Sequence, residues 1–373
     1  MPEHSHLSIS AFQEPPMSRS TSQAITARRT ACLGEVARGI EQFLGPRRES
    51  CPWCGSGRLR TRVRTPDLLR HRPGHFTVDG CRDCGHAFQN PPLSTEGLAF
   101  HHRDLAESPL EAGESAPWPG LARVTRRRHR AAARAMLPYG EPESWLDVGT
   151  GYGHFPAAAR EFFPYTSFDG LDTTGRVEWA RAEGRVEEGH RGHLTDPHVV
   201  ARLRARYDVV SMLHHLPRVP GPRAELRAAL AVLRPGGRLL LELPDPGCLF
   251  ARLLGRWWVP YDQPRQLHLP TVRNLTAELA ARGCEVLAVD RTWSHVPGDL
   301  TAALTLALSR AAPAPDTPWR PAPPSPPART VRRAVLGAGA PLVAVGAAVD
   351  HALAPALRHT RFANTFRIVA QRP

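Results

Sequence analysis

The spacing of apolar residues changes period along the chain. Leu33, Val36, Ile40 and Phe43 recur three and four apart, which predicts a short helix within residues 31–45. Residues 93–120 show no period and read as loop, and an Arg- and Ala-rich helix follows over 121–137, stopped by Pro138. From 144 onward short apolar runs alternate with helical patterns. Strands are predicted at Ser144–Val148, Ser167–Asp172, Val186–Glu188, Tyr207–Leu213, Arg238–Leu243 and Glu285–Asp290. Helices are predicted near 155–163, 175–183, 197–205, 223–233 and 271–282. The helix over 223–233 places Leu226, Leu230 and Leu233 on one face, and Gly236-Gly237 turn the chain into the next strand. Strands that alternate with helices imply a parallel sheet covered on both faces, a doubly wound α/β domain from about 141 to 373.

Two segments interrupt this pattern near the end. Residues 312–328 are Pro-rich and read as an extended linker. Residues 334–349 are apolar, contain Pro341 and stop at Asp350, a run shorter than the ~20 residues of a membrane span. The run reads as a packed helix, with peripheral membrane contact as the alternative. It forms a helical insertion at about 296–360 ahead of a closing strand at Phe362–Gln371. Residues 1–30 are polar, lack the apolar core of a secretory signal and read as disordered.

Composition alters the picture in two places. The net charge is +13, and all 48 basic side chains are Arg, with no Lys anywhere. An anionic partner would fit this charge. So would a compositional bias toward Arg, Ala, Pro and Gly, so the charge decides little. The run Arg123, Arg126, Arg127, Arg128, Arg130 and Arg134 could hold RNA phosphates, but it lacks interleaved aromatics and reads first as a solvated helix face.

Cysteine usage is more informative. Cys51-Pro-Trp-Cys54 and Cys81-Arg-Asp-Cys84 are paired knuckles with 26 residues between them, each followed by Gly. Two thiolates three positions apart on a tight turn can face one ion, and two such turns close a tetrahedral S4 shell. That predicts a structural zinc ribbon over 46–92, with residues 93–140 linking it to the α/β domain. Paired spacing in an odd total of seven cysteines points to metal ligation in a reducing, cytoplasmic setting.

The first strand-to-helix turn of the α/β domain reads Trp145-Leu-Asp-Val-Gly-Thr-Gly-Tyr-Gly153. Glycines there let a ligand approach the backbone beyond the strand ends. Gly149, Gly151 and Gly153 give GxGxG, whereas a dinucleotide fingerprint would need its third Gly at His154. Asp172 closes the next strand where a ribose-binding carboxylate belongs. Asp147 is placed to take a ligand amine or to hold the loop.

These residues, with YDVVSMLHHL over 207–216, RPGGRLLLELPDP over 234–246 and DQPRQLHL over 262–269, resemble the class I S-adenosylmethionine-dependent methyltransferases. The likeness covers residues 144–295 and the final strand. Within that group it is most similar to the branch placed with ubiquinone-pathway O-methyltransferases, several of which carry an N-terminal zinc ribbon. The resemblance implies a Rossmann-like, mostly parallel seven-stranded sheet. It also implies that Asp147, Gly149, Thr150, Gly151, Tyr152 and Gly153 cradle the methionine part of the cofactor and that Asp172 binds its ribose. His193 and Leu194 would flank adenine, and Met212 and Leu213 would lie under the methyl group. Relatives often carry Glu-His where this chain has Pro217-Arg218, so if that pair serves them as a general base, it is missing here.

Methyl transfer to a hydroxyl needs a base, and His is suited to that near neutral pH. His214, His215 and His268 are the candidates. Trp257, Trp258 and Tyr261 could line an acceptor pocket or pack in the core. The expected activity is transfer of a methyl group to oxygen, nitrogen or carbon of a small molecule. RNA methylation and a non-catalytic cofactor-binding module are the alternatives.

Overall fold

The structure is a computed structural model that describes residues 21–102 and 121–373. Its centre is a seven-stranded sheet built from β4 (Ser144–Val148), β5 (Ser167–Asp172), β6 (Gly189–Arg191), β7 (Tyr207–Leu213), β8 (Leu233–Pro244), β10 (Glu285–Asp290) and β11 (Thr365–Gln371). The order is β10-β11-β8-β7-β4-β5-β6. All pairs are parallel except those made by β11, which inserts antiparallel between β8 and β10.

Alternate strand residues feed two separate cores, as a sheet buried on both faces requires. Leu146, Val210, Leu239 and Leu241 face one core with Leu226 and Val232 of α7 (Pro222–Val232) and Leu275 and Leu279 of α9 (Val272–Ala280). Trp145, Phe168, Val209 and Leu240 face the other, with Ala132 and Ala133 of α3 (Leu121–Arg134) and Phe155 and Ala159 of α4 (His154–Ala159). The predicted doubly wound fold is therefore present. Strand order reverses between β4 and β7, and a ligand crevice is expected beyond the strand ends there.

The short third strand lies three residues later than expected. Residues 186–188 already run beside β5, since Glu187 N–H donates to Phe168 O. The Asp169 carboxylate takes the Glu188 N–H at 3.0 Å, and the regular ladder begins only at Gly189 opposite Gly170.

The N-terminal strands β1 (Leu59–Thr65), β2 (Phe76–Cys81) and β3 (Ala87–Gln89) form a second sheet with the two-residue β9 (His268–Leu269). The ribbon thus borrows a strand from the α/β domain. Cys51, Trp53, Cys81 and Phe88 join the same core as Leu146 and Leu226. Helix α9 starts with a capping box between Thr271 and Asn274, and Asn274 Nδ2 also donates to Cys84 O at 3.2 Å.

Other expectations change at the chain's periphery. Of the predicted disordered tail, residues 1–20 lie outside the described residues and the rest belongs to helix α1 (Thr21–Val36). Helix α1 has no clean apolar stripe; a contact remote in sequence, Arg29 to Asp316 at 2.5 Å, ties it down. Residues 95–102, expected as loop, form α2 (Thr95–His102), and Ser94 Oγ accepts from Gly97 N–H at 3.0 Å. The remaining loop-like residues, 103–120, are outside the described ones.

The largest change concerns the apolar run. It sits inside α11 (Pro326–Leu357), a helix of 32 residues. The linker ends earlier than expected because Pro326 and Pro327 form the first turn, where a missing N–H costs nothing. Pro341 does not end the helix and faces outward. The apolar run alone remains shorter than a span, but the whole of α11 is long and apolar enough to cross a membrane by length and composition. It packs on α10 (Asp299–Ala311) through Gly339 and Gly346, where any Cβ would strike Leu308 and Leu304.

Candidate active site

A cleft of about 990 Å³ opens at the switch point. That is at the upper end for ligand pockets, with room for two molecules side by side.

The glycine loop forms one end. Gly149 and Gly151 have φ of 77° and 53°, in the left-handed region. A Cβ on Gly149 would sit 2.7 Å from His215 Nδ1, so only bare backbone fits. Across the loop, Asp172 Oδ2 accepts from Gly151 N–H at 3.0 Å, and its Oδ1 accepts from Thr174 N–H and Oγ1–H. The carboxylate is thus fixed in orientation, and Oδ2 keeps a second lone pair for a hydroxyl. Asp147, Thr150, Tyr152, His193, Leu194 and Leu213 also line this end. This donor set suits the adenosine and amino-acid parts of S-adenosylmethionine.

Two expected cofactor residues do not reach the cleft. Met212 is fully buried in the sheet core beneath Leu213. Gly153 caps α4 and packs against α5 (Arg176–Ala182), where its Cβ would meet Arg185 Cβ at 2.9 Å and Ala180 Cβ at 3.1 Å. Its glycine serves helix packing.

Asp147 is buried. Trp145 Nε1–H donates to Ser211 Oγ at 2.9 Å, and Ser211 Oγ–H donates to Asp147 Oδ1 at 2.6 Å. Burial nonetheless pushes the Asp147 carboxyl up to about 7, against these bonds.

The three histidine candidates separate. His268 lies outside the cleft, which corrects its assignment as a base. It stacks on His86 and is held between that ring and Pro220 O, at 3.3 and 3.2 Å. It lies there because β9 completes the ribbon sheet. His214 lines the cleft at a φ of 56°, with Nε2 3.5 Å from Glu242 Oε1. Burial, reinforced by the Arg128 guanidinium, lowers it to about 4 and keeps it neutral near pH 7. His215 Nε2 lies 2.7 Å from Glu225 Oε1. A carboxylate can only accept, so Nε2–H donates to it and Nδ1, against Gly149, is left as proton acceptor.

Glu225, on α7, was not visible as a partner in the sequence; its only signal is its place one turn into the helix after the His pair. Glu242 was also missed. It is fully buried beside Arg367, with Arg128 at 3.6 Å, and Arg367 holds its carboxyl down at about 2 against burial.

The other end of the cleft is assembled from distant segments. Helix α3 contributes Val124, Thr125, Arg128 and His129, α10 contributes Thr301 and Ala302, and α11 contributes Ala347 and His351. Asp299 joins them, raised to about 7 by burial and bonded to Trp258 Nε1 at 2.8 Å. Trp258 and Tyr261 are themselves core residues, and Trp257 does not line the cleft. The Arg run of α3 is largely engaged: Arg126 and Arg130 pair with Glu161, and Arg128 with Glu242.

Away from the cleft, the sulfurs of Cys51, Cys54, Cys81 and Cys84 all lie within 4.8 Å of one another. Cys51 and Cys84 Sγ are 3.7 Å apart, and Cys54 and Cys81 Sγ are 3.6 Å apart. A tetrahedron with arms of ~2.3 Å has edges of ~3.8 Å, so the four thiols fit a zinc ion.

Residues 121–289, from α3 to β10, match the model of a family described as a methyltransferase domain. No curated protein sequence matches the chain. Among solved structures the chain is similar to the [4+2]-cyclase SpnF, at 18% identity over 69% of this chain and 83% of that one, TM-score 0.40. It is similar to an S-adenosylmethionine-dependent methyltransferase of Thermotoga maritima, at 20% identity over 45% and 76%, TM-score 0.36. The plantazolicin methyltransferase BamL matches at 11% identity over 74% and 93%, TM-score 0.44. Residues 121–289 therefore carry the sequence pattern of a methyltransferase domain. An N-terminal four-cysteine cluster accompanies the domain.

Proposed function

We propose that the protein methylates a hydroxyl of a small-molecule acceptor in the cytoplasm, with a structural zinc in the ribbon. The observation that carries this reading is the His215–Glu225 pair at 2.7 Å, in the lining of the cleft against the glycine loop. A hydroxyl needs a base as it attacks, whereas an amine enters as its own nucleophile. A His–Glu pair therefore favours oxygen, in line with the resemblance to the ubiquinone-pathway O-methyltransferase branch.

When bound, S-adenosylmethionine supplies a methyl group on a positively charged sulfur with a good leaving group. Gly149 and Gly151 would hold its amino-acid part against bare backbone, Asp147 its amine and Asp172 its ribose. His215 Nδ1 would accept the hydroxyl proton, and Glu225 would stabilise the imidazolium that forms. Val124, Thr301 and Ala302 would screen the nucleophile from water.

The engaged Arg run speaks for a small acceptor over RNA. The test is ligand-dependent melting. S-adenosylhomocysteine should raise the melting temperature and NADH should leave it unchanged. Asp172→Ala should abolish the shift; a full shift in that variant, or an equal one with NADH, would reject the cofactor assignment. Labelled methyl from S-adenosylmethionine should then appear in an alkali-stable ether among the small molecules of a cell extract, and label found in RNA instead would refute the acceptor class.

A further inference from the structure

The cleft accounts for the sheet and for α10, but not for the outer surface of α11. At 1.5 Å per residue this helix is ~48 Å long. Val331, Leu342, Val345 and Leu353 are each about half or more exposed. Between Arg333 and Arg358 the only charged side chain is Asp350. Asp350 is buried and turned inward, where it accepts from Leu300 N–H, Thr301 N–H and Thr301 Oγ1–H at the start of α10. The outward surface over these turns therefore carries small and apolar residues with one exposed His, His351. Contiguous apolar surface of this kind marks a contact site.

The ends of the helix are basic. Arg329 and Arg333 are exposed at one end, and Arg358, His359 and Arg361 follow at the other. Trp293 is 65% exposed and lies under the Arg358 guanidinium, 4.3 Å from ring centroid to Cζ. Trp and Arg beside an apolar strip are the side chains that settle at a headgroup layer.

We propose that α11 docks on the surface of an anionic lipid bilayer and so holds the cleft beside that surface. Charge decides the occupant. A second copy packed along α11, in either direction, would set one cluster of arginines against another, and the helix offers no exposed acid in return. A polyanion without apolar groups, such as RNA, would leave Leu342 and Val345 uncovered. An anionic bilayer satisfies both features, with acyl chains for the strip and phosphates for its ends.

The helix lies along the surface and does not cross it. Crossing would strip Asp350 from the α10 amides and open the Gly339 and Gly346 seam. Ala347 and His351 of the same helix line the cleft, so the docked helix is also a wall of the acceptor end. The proposal stands whichever acceptor is methylated.

The test is flotation of the full chain with vesicles. Wild type should float with equal parts phosphatidylglycerol and phosphatidylcholine and remain behind with phosphatidylcholine alone. Leu342→Glu with Val345→Glu should lower partitioning by at least about tenfold. Arg329→Glu with Arg333→Glu should weaken it by about tenfold or more and remove the preference for anionic vesicles. Both variants should keep the S-adenosylhomocysteine melting shift, which shows that the cofactor site is folded and separates this test from that of the methyltransferase reading.

Failure of wild type to float with anionic vesicles would overturn the proposal whether or not the variants fold. So would undiminished flotation of the Leu342/Val345 variant. A wild-type dimer in sedimentation that this variant converts to monomer, without flotation, would assign the face to a second copy.

Discussion

The two ends of the cleft are built by different rules. The glycine end comes mainly from one contiguous stretch, residues 147–152, with Asp172 one strand away and His193, Leu194 and Leu213 beside it. The acceptor end draws on α3, α7, α10 and α11, on residues from Val124 to His351. The first end is mostly backbone, so its chemistry depends on turns that few sequences can make. The second is mostly side chains, so its chemistry depends on which segments fold against one another. Cofactor binding and acceptor handling should therefore be separable by mutation.

The sharpest separation is at His215. His215→Asn should lower turnover by about 10²–10⁴-fold and leave the S-adenosylhomocysteine melting shift in place. Glu225→Gln should act in the same direction with a smaller loss, because the imidazole loses its orienting carboxylate. Radiolabel transfer in extract measures the first quantity, and melting measures the second. If His215→Asn turned over normally, the acceptor would need no base, and nitrogen would replace oxygen as the methylated atom.

This contrast also explains what could be read from the sequence. The strands β4, β5, β7 and β8 were legible because buried parallel strands need unbroken apolar runs such as Val209–Val210 and Leu239–Leu241. The glycine loop was legible because positive φ at Gly149 and Gly151 leaves little choice of residue. The Cys pairs were legible because metal ligation fixes their spacing. His268 could not be placed, since its position depends on a two-residue strand pairing with Ala87 and Phe88, some 180 positions earlier. Gly153 kept the periodicity of the loop for a different reason, the close approach of α4 and α5. Glu225 and Glu242 look like ordinary helix and strand residues until the fold brings His215 and Arg367 to them.

Glu242 offers a second way to sharpen the comparison, because it acts on stability and lies behind the acceptor end. Glu242→Gln would leave Arg367 buried without its ion partner, at a cost of about 3–5 kcal/mol. Urea unfolding measures it, and a loss below about 1 kcal/mol would show that Asp290, 3.5 Å from the Arg367 guanidinium, suffices as a counterion. The folded-state value of Glu242 is depressed to about 2 from 4.5. Its contribution is thus present above pH 4.5 and lost as the pH falls through about 2, so the variant should also show a flatter acid limb.

The smallest effect lies at the glycine end and has two opposite signs. Asp147 is raised from 3.8 to about 7 in the folded protein. Its contribution to stability is fully present below pH 3.8 and is lost as the pH rises through about 7, so the ligand-free protein should melt at a lower temperature across that window. The cofactor amine, however, needs the ionised carboxylate. Affinity for S-adenosylhomocysteine should therefore increase between pH 5.5 and 7.5, by at most about tenfold per pH unit. Calorimetric titration at several pH values checks this, and Asp147→Asn should flatten the dependence. A flat profile in the wild type would mean that Asp147 only holds the loop through Ser211 and Trp145. The amine would then be bound elsewhere in the same cleft, and the glycine end would owe its specificity to backbone and Asp172 alone.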